Sequence, residues 1–98
     1  MRIIARRRLR EFYECPDFAD SKASLEAWFH EVSKAQWKTP NDIKALYRYA
    51  SFVSDKVVFN IAGNKYRLIV KINYNAGIVF IKFIGTHKMY DRINVEEL

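Results

Sequence analysis

One cysteine, Cys15, stands in a chain of 98 residues, so no internal disulfide can form and a reducing compartment is the natural setting. Lying beside Pro16, where a helix-to-helix turn is expected, Cys15 reads as a small buried filler rather than a nucleophile. No apolar run approaches the roughly 20 residues that cross a bilayer. The opening Met1-Arg2-Ile3-Ile4-Ala5-Arg6-Arg7-Arg8 sets its charge after a very short apolar stretch, unlike a secretory signal, and the expectation is a cytoplasmic protein with no membrane partner. With 3 glycines and 2 prolines there is no Gly- or Pro-rich linker, and no repeat or low-complexity tract interrupts the order. A chain of this length holds one compact domain, expected here over residues 1–98, so core and site must share one layer of sheet and helix.

Absences bound the chemistry as well. No Cys/His cluster has zinc-ligand spacing, no paired carboxylates accompany a histidine as a two-metal nuclease requires, and no Gly-rich loop offers to cradle phosphate. Neither a metal nor a cofactor is expected. Acid is missing from one half in particular: from Ile43 to Tyr90 there are eight Lys or Arg and a single acid, Asp55. That half is more positive than the chain as a whole, whose formal net charge is +6, which points to an anionic partner such as nucleic acid or an acidic protein.

What is present is a globular composition, 50% apolar and 15% aromatic, sufficient for a packed core. Arg2-Ile3-Ile4-Ala5 reads as a short first strand. Arg6 to Glu14 places Leu9, Phe12 and Tyr13 at helical spacing. From about Asp20 to Trp37, Leu25, Trp28, Phe29, Val32 and Ala35 form one apolar stripe with charges off it, which predicts the main helix and makes its aromatic pair core. His30 lies off that stripe with no second ligand at metal spacing and reads as a surface residue. Thr39-Pro40-Asn41-Asp42 is a helix start, with Thr39 as cap, Pro40 at the first position and Asp42 suited to the dipole; Ile43, Leu46, Tyr47 and Ala50 should then face inward.

After Lys56 the period changes. Val57 to Ile61, Tyr66 to Tyr74 and Ile78 to Ile84 read as three strands, joined by Ala62-Gly63-Asn64-Lys65 and Asn75-Ala76-Gly77, and so as an antiparallel meander. The expected fold is α+β, a meander plus a short N-terminal strand, packed on one face by two to three helices. Alternation along the middle strand puts Tyr66, Leu68, Val70, Ile72 and Tyr74 against the helices and Arg67, Lys71 and Asn73 on the open face, interrupted by Ile69. Cations there are costly unless they stay wet or meet an anion, so the open face has the character of a phosphate-binding floor.

The last strand runs into Gly85-Thr86-His87-Lys88-Met89-Tyr90-Asp91-Arg92, the densest group of reactive side chains in the sequence. An imidazole exchanges a proton near neutral pH, and a phenol three residues on can reach the same place. Cutting RNA without metal needs a base for the ribose 2′-OH, an acid for the 5′ leaving oxygen and cations for the charge growing on phosphate. His87, Tyr90, Lys88, Arg67 and Lys71 hold those groups between them. A binding module that uses the same face without cutting is the alternative.

The run Val57 to Tyr74, with Ile81-Lys82-Phe83-Ile84-Gly85-Thr86-His87 and Tyr90-Asp91, resembles the HigB family of bacterial toxins. Trp37-Lys38-Thr39-Pro40-Asn41-Asp42-Ile43-Lys44 and Arg2-Ile3-Ile4 extend the resemblance over nearly the whole chain. Lys88-Met89 and Ala62 depart from it, standing where a small and an acidic residue and a cysteine would be expected. The resemblance implies a RelE-like fold and an mRNA endonuclease that acts through the 2′-OH, generally on the translating ribosome. It implies as well a cognate antitoxin of the HigA helix-turn-helix type, with association to DNA only through that antitoxin. Gly63-Asn64-x-x-Arg67 and Thr86-His87-x-x-Tyr90-Asp91 are the segments that carry over. The expected catalytic set is thus His87, Tyr90, Arg67 and Lys88. Asn64, Lys65, Lys71, Asn73 and Lys82 are the expected RNA or phosphate contacts, and Arg6, Arg7, Arg8 and Arg10 are a candidate surface for the antitoxin.

Overall fold

A computed structural model describes residues 1–98. Strand β1 (Arg2–Ile4) leads into helix α1 (Arg6–Tyr13), a 3-10 stretch (Pro16–Ser21), α2 (Lys22–Lys34) and α3 (Pro40–Leu46). Then come β2 (Ser51–Val53), β3 (Lys56–Ile61), β4 (Tyr66–Asn73), β5 (Ile78–Thr86), the short α4 (His87–Tyr90) and a closing 3-10 turn (Val95–Glu97). The strands form one sheet in the order β1-β5-β4-β3-β2. β1 lies parallel to β5 and every other pair is antiparallel, so the expected meander and N-terminal strand are both present, in an α+β fold.

The main core forms where the period-two pattern of the strands meets the helical stripe. Val57, Phe59 and Ile61 of β3, Tyr66, Leu68 and Val70 of β4, and Val79 and Ile81 of β5 pack on Leu9, Leu25, Trp28, Val32 and Ile43. Trp28 and Trp37 both set their rings against Phe59, with centroids 5.5 and 6.3 Å away. Helix α2 ends at Lys34, short of the expected Trp37, because Ala35 turns to an extended backbone. There the amino group of Met1 donates to the carbonyls of Val32, Ser33 and Ala35, partners that a helix end otherwise lacks. Asp42 accepts from the backbone N–H groups of Lys38 and Thr39 at 2.8 and 3.1 Å, and these bonds hold its carboxyl below the usual carboxylate range. Of the residues expected to face inward on this helix, Ile43 and Ala50 are buried, but Leu46 is 49% exposed.

Two further features differ from the sequence reading. β2 is an additional edge strand, paired with β3 only over Ser51–Val53. The face away from the helices is also partly covered. Val95 packs on Val58 and Ile69, with Val53, Phe83, Tyr90, Ile93 and Leu98 around them. Ile69, the apolar interruption on a basic face, is therefore fully buried, because the chain after α4 folds back over it. No helix is long and apolar enough to cross a membrane.

Candidate active site

Strand pairing arranges the face away from the helices in rows. Asn60, Arg67 and Gly85 are partners across β3, β4 and β5; Val58, Ile69 and Phe83 form the next row; Lys56, Lys71 and Phe80 the one after. The middle row is the apolar one roofed by Val95. It separates two polar ends that lie four residues apart along β4, about 13 Å.

The end that carries Arg67 also receives the histidine. Tyr66 pairs with Thr86, and the backbone N–H of His87 donates to the carbonyl of Lys65 at 3.3 Å, which fastens the start of α4 to the β3–β4 turn. Thr86 caps α4 by accepting from the N–H of Met89 at 3.1 Å. His87 is exposed, with Nε2 3.3 Å from Asp91 Oδ1 one helical turn on, an arrangement that orients the ring. The Tyr90 ring lies 6.5 Å from the imidazole, centroid to centroid, with its other side on the apolar row. Lys88 is exposed beside them.

Arg67 is half-buried. Its guanidinium donates to the carbonyls of Asn64 at 2.8 Å and Tyr66 at 3.2 Å. Those contacts use one nitrogen, Nη1, and leave the other donors of the fork for an anion. At Gly85 the row is covered: the residue is buried, and a Cβ there would meet the Phe83 ring at 2.6 Å and the Met89 sulfur at 3.1 Å. The turn between β3 and β4 takes positive φ at Ala62 (53°) and Gly63 (69°), which brings Asn64 back over Asn60. Asn60 Nδ2 donates to Asn64 Oδ1 at 3.2 Å.

The remaining expected contacts are placed elsewhere or occupied. Lys65 pairs with Asp20, which also accepts from the Tyr66 hydroxyl. The two bonds hold the Asp20 carboxyl low, while the bond to Asp20 raises Lys65 and Tyr66. Lys71, expected as a free cation on the open face, shares Asp55 with the buried Lys56, at 3.3 and 2.7 Å. The single acid of the basic half thus offsets one of the two charges of the far row, and these two bonds lower its pKa. Asn73 ends β4, where its side chain accepts from the N–H of Ala76 at 3.0 Å and shapes the next turn. Lys82 is the extra residue of a β-bulge: Ile69 pairs with Phe83 and Val70 with Ile81, leaving Lys82 without a partner. The structure brings together His87, Tyr90, Lys88, Arg67 and Asn64, leaves Lys65 engaged by Asp20, and does not bring Lys71, Asn73 or Lys82 to them. Two residues absent from the expected set, Asn60 and Asp91, join them. Asp91 was legible at four residues from His87, as one helical turn, whereas Asn60 needed the β3–β4 register.

A basic guanidinium, an exposed imidazole with a carboxylate orienting it, and a phenol at one rim are what phosphodiester cleavage by side chains alone requires. No three His, Cys, Asp or Glu side chains gather in the molecule to hold a metal ion. A family model described as HigB toxin, RelE-like toxic component of a toxin-antitoxin system, matches residues 21–93, a span that contains every residue of this rim. The chain is 26% identical over 94 residues to the mRNA interferase toxin HigB of Escherichia coli strain K12, covering 93% of this chain and 88% of that protein. The proteins named mRNA interferase HigB in Escherichia coli O157:H7 and Shigella flexneri are similar to the same extent.

Proposed function

Because the chain belongs to the HigB family of RelE-like toxins, the toxic components of toxin–antitoxin systems, we propose that it halts translation as an mRNA endonuclease whose side chains act on one phosphodiester without a metal ion. The observation that carries this reading is the convergence of Arg67 and His87 on one sheet rim, through the Arg67–Gly85 pairing and the bond from His87 N–H to the Lys65 carbonyl. In the proposed reaction the ribose 2′-oxygen attacks phosphorus, its proton passing to the His87 imidazole. Arg67 offsets the charge that develops on the phosphoryl oxygens. The bond to the 5′-oxygen breaks, and that oxygen takes a proton delivered through the His87–Tyr90 pair. The products are a 2′,3′-cyclic phosphate and a 5′-hydroxyl end.

The substrate is mRNA on the translating ribosome in the cytoplasm. The partner that restrains the toxin is a HigA-like helix-turn-helix antitoxin, through which the pair meets DNA. The relatives' names support mRNA as the target, and the basic half of the sequence supports an RNA partner. Mapping of 5′ ends on cellular mRNA after induction tests the reading. Fresh 5′-hydroxyl ends within coding sequence are expected for the wild type and in far lower yield for His87→Ala or Arg67→Ala. Growth arrest by the wild type with no new ends would overturn it in favour of a non-cutting RNA-binding protein, and new ends carrying a 5′-phosphate, the product of metal-activated water, would overturn its 2′-OH chemistry.

A further inference from the structure

Next to the Asn60–Arg67–Gly85 row lies a cleft of about 530 Å³ that the proposed bond-breaking chemistry does not use. It exists because β2 stops short: its pairing with β3 ends at Ser51–Val58. Phe59, Asn60 and Ile61, although paired with β4, have no neighbour on their other edge. The chain before β2 turns away there, with Ala50 N–H donating to the Tyr47 carbonyl. The opening is walled by Arg48 and Tyr49 on that side and by Asn60, Gly63 and Asn64 on the other.

Three observations give this opening a ligand chemistry. Tyr49 is the most exposed large ring in the molecule at 74%, and the Arg48 guanidinium lies 5.4 Å from its centroid, so a flat π-face and a cation stand together. Across from them, the bond from Asn60 Nδ2 to Asn64 Oδ1 leaves Asn60 Oδ1 and Asn64 Nδ2 without a partner in the chain, an acceptor and a donor side by side. The third is continuity, since Arg67, the cation proposed for the scissile phosphate, donates to the Asn64 carbonyl. A stacking ring, a cation and an amide pair adjoining a phosphate contact match an unstacked nucleobase of single-stranded RNA.

We propose that this cleft holds the base next to the scissile phosphate, stacked on Tyr49 beside Arg48, with its edge against Asn60 and Asn64. The assignment rests on the endonuclease reading above and adds a substrate subsite to it. Its test is the same 5′-end mapping of cellular mRNA, applied to Tyr49→Ala, Tyr49→Phe, Asn64→Ala and, as a control on the helix side, the exposed His30→Ala, with the melting temperature of each variant recorded. Tyr49→Ala should lower the yield of new ends about tenfold, the effect of losing one stacked base, Tyr49→Phe should recover most of that loss by keeping the ring, and His30→Ala should cut like the wild type. Asn64→Ala should alter the base preference flanking the cut. Undiminished cutting by Tyr49→Ala, or a uniform loss in Asn64→Ala with the flanking bases unchanged, would overturn the subsite and leave the endonuclease standing. Loss of antitoxin neutralisation by Tyr49→Ala with undiminished cutting would assign the ring to a protein partner and overturn it likewise. Absence of any new ends with the wild type would remove the parent reading.

Discussion

His87 owes its position to three small contacts: the bond of its N–H to Lys65, the Thr86 cap of its helix and the Asp91 carboxylate 3.3 Å from Nε2. Asp91 is exposed and touches the imidazole rather than the proposed substrate, so it acts by positioning. Asp91→Ala should reduce cutting about tenfold with an unchanged melting temperature, an effect in the range seen when an orienting partner is lost, and Asp91→Glu should recover part of it. Gly85 makes the opposite case, a residue without chemistry on which the geometry depends. Gly85→Ala must displace the Phe83 ring or the Met89 sulfur. Overpacking of this kind costs about 1–3 kcal/mol, so both thermal stability and cutting should fall, since Met89 belongs to the same short helix as His87.

Among the elements, alternation in the sequence was enough to place β3, β4 and β5 and to separate Arg67 from Leu68. β2 was not legible, because three residues, Ser51-Phe52-Val53, carry no period and are held only by pairing with β3. The fate of Lys71 was hidden for a related reason. Its partner Asp55 lies 16 positions earlier in the chain, and only the register that sets Lys56 against Lys71 brings that acid to it. The bulge at Lys82 breaks the parity on which alternation depends. The closing turn offers one buried apolar residue, Val95, too little to announce that it covers Ile69. Ile69→Ala should therefore cost about 2–5 kcal/mol, as truncation of a buried aliphatic does, and denaturant unfolding would show it. An open, solvated position would lose almost nothing.

The link between the 3-10 stretch and the β3–β4 turn makes a pH-dependent contribution. Asp20 is held below the usual carboxylate range by its bonds to Lys65 and Tyr66, so its contribution is complete above the unfolded value and lost as pH falls through the lower folded value. Lys65 is raised by the same carboxylate, so its contribution is complete below the ordinary lysine value and lost as pH rises through the higher folded one. The melting temperature should fall at both extremes, and Asp20→Asn should flatten both limbs. A wild type and variant with parallel profiles would show the pair to be inert.

At the scale of the molecule, the charge of +6 is sorted rather than spread. On the face away from the helices, the far row shares Asp55 between two lysines, the apolar row is roofed by Val95, and Arg67 is left at the near rim without an acidic partner. The sequence made the family resemblance and the reactive cluster visible, but not this division of one face into three. If the account holds, Arg67 and His87 serve a single event, and residues that act as a unit give non-additive losses. Cutting of mRNA should be measured for the wild type, His87→Ala, Arg67→Ala and the double variant under one set of conditions. The double variant should cut no more slowly than the slower single variant; losses that multiply, or full cutting by either single variant, would contradict a shared scissile phosphate.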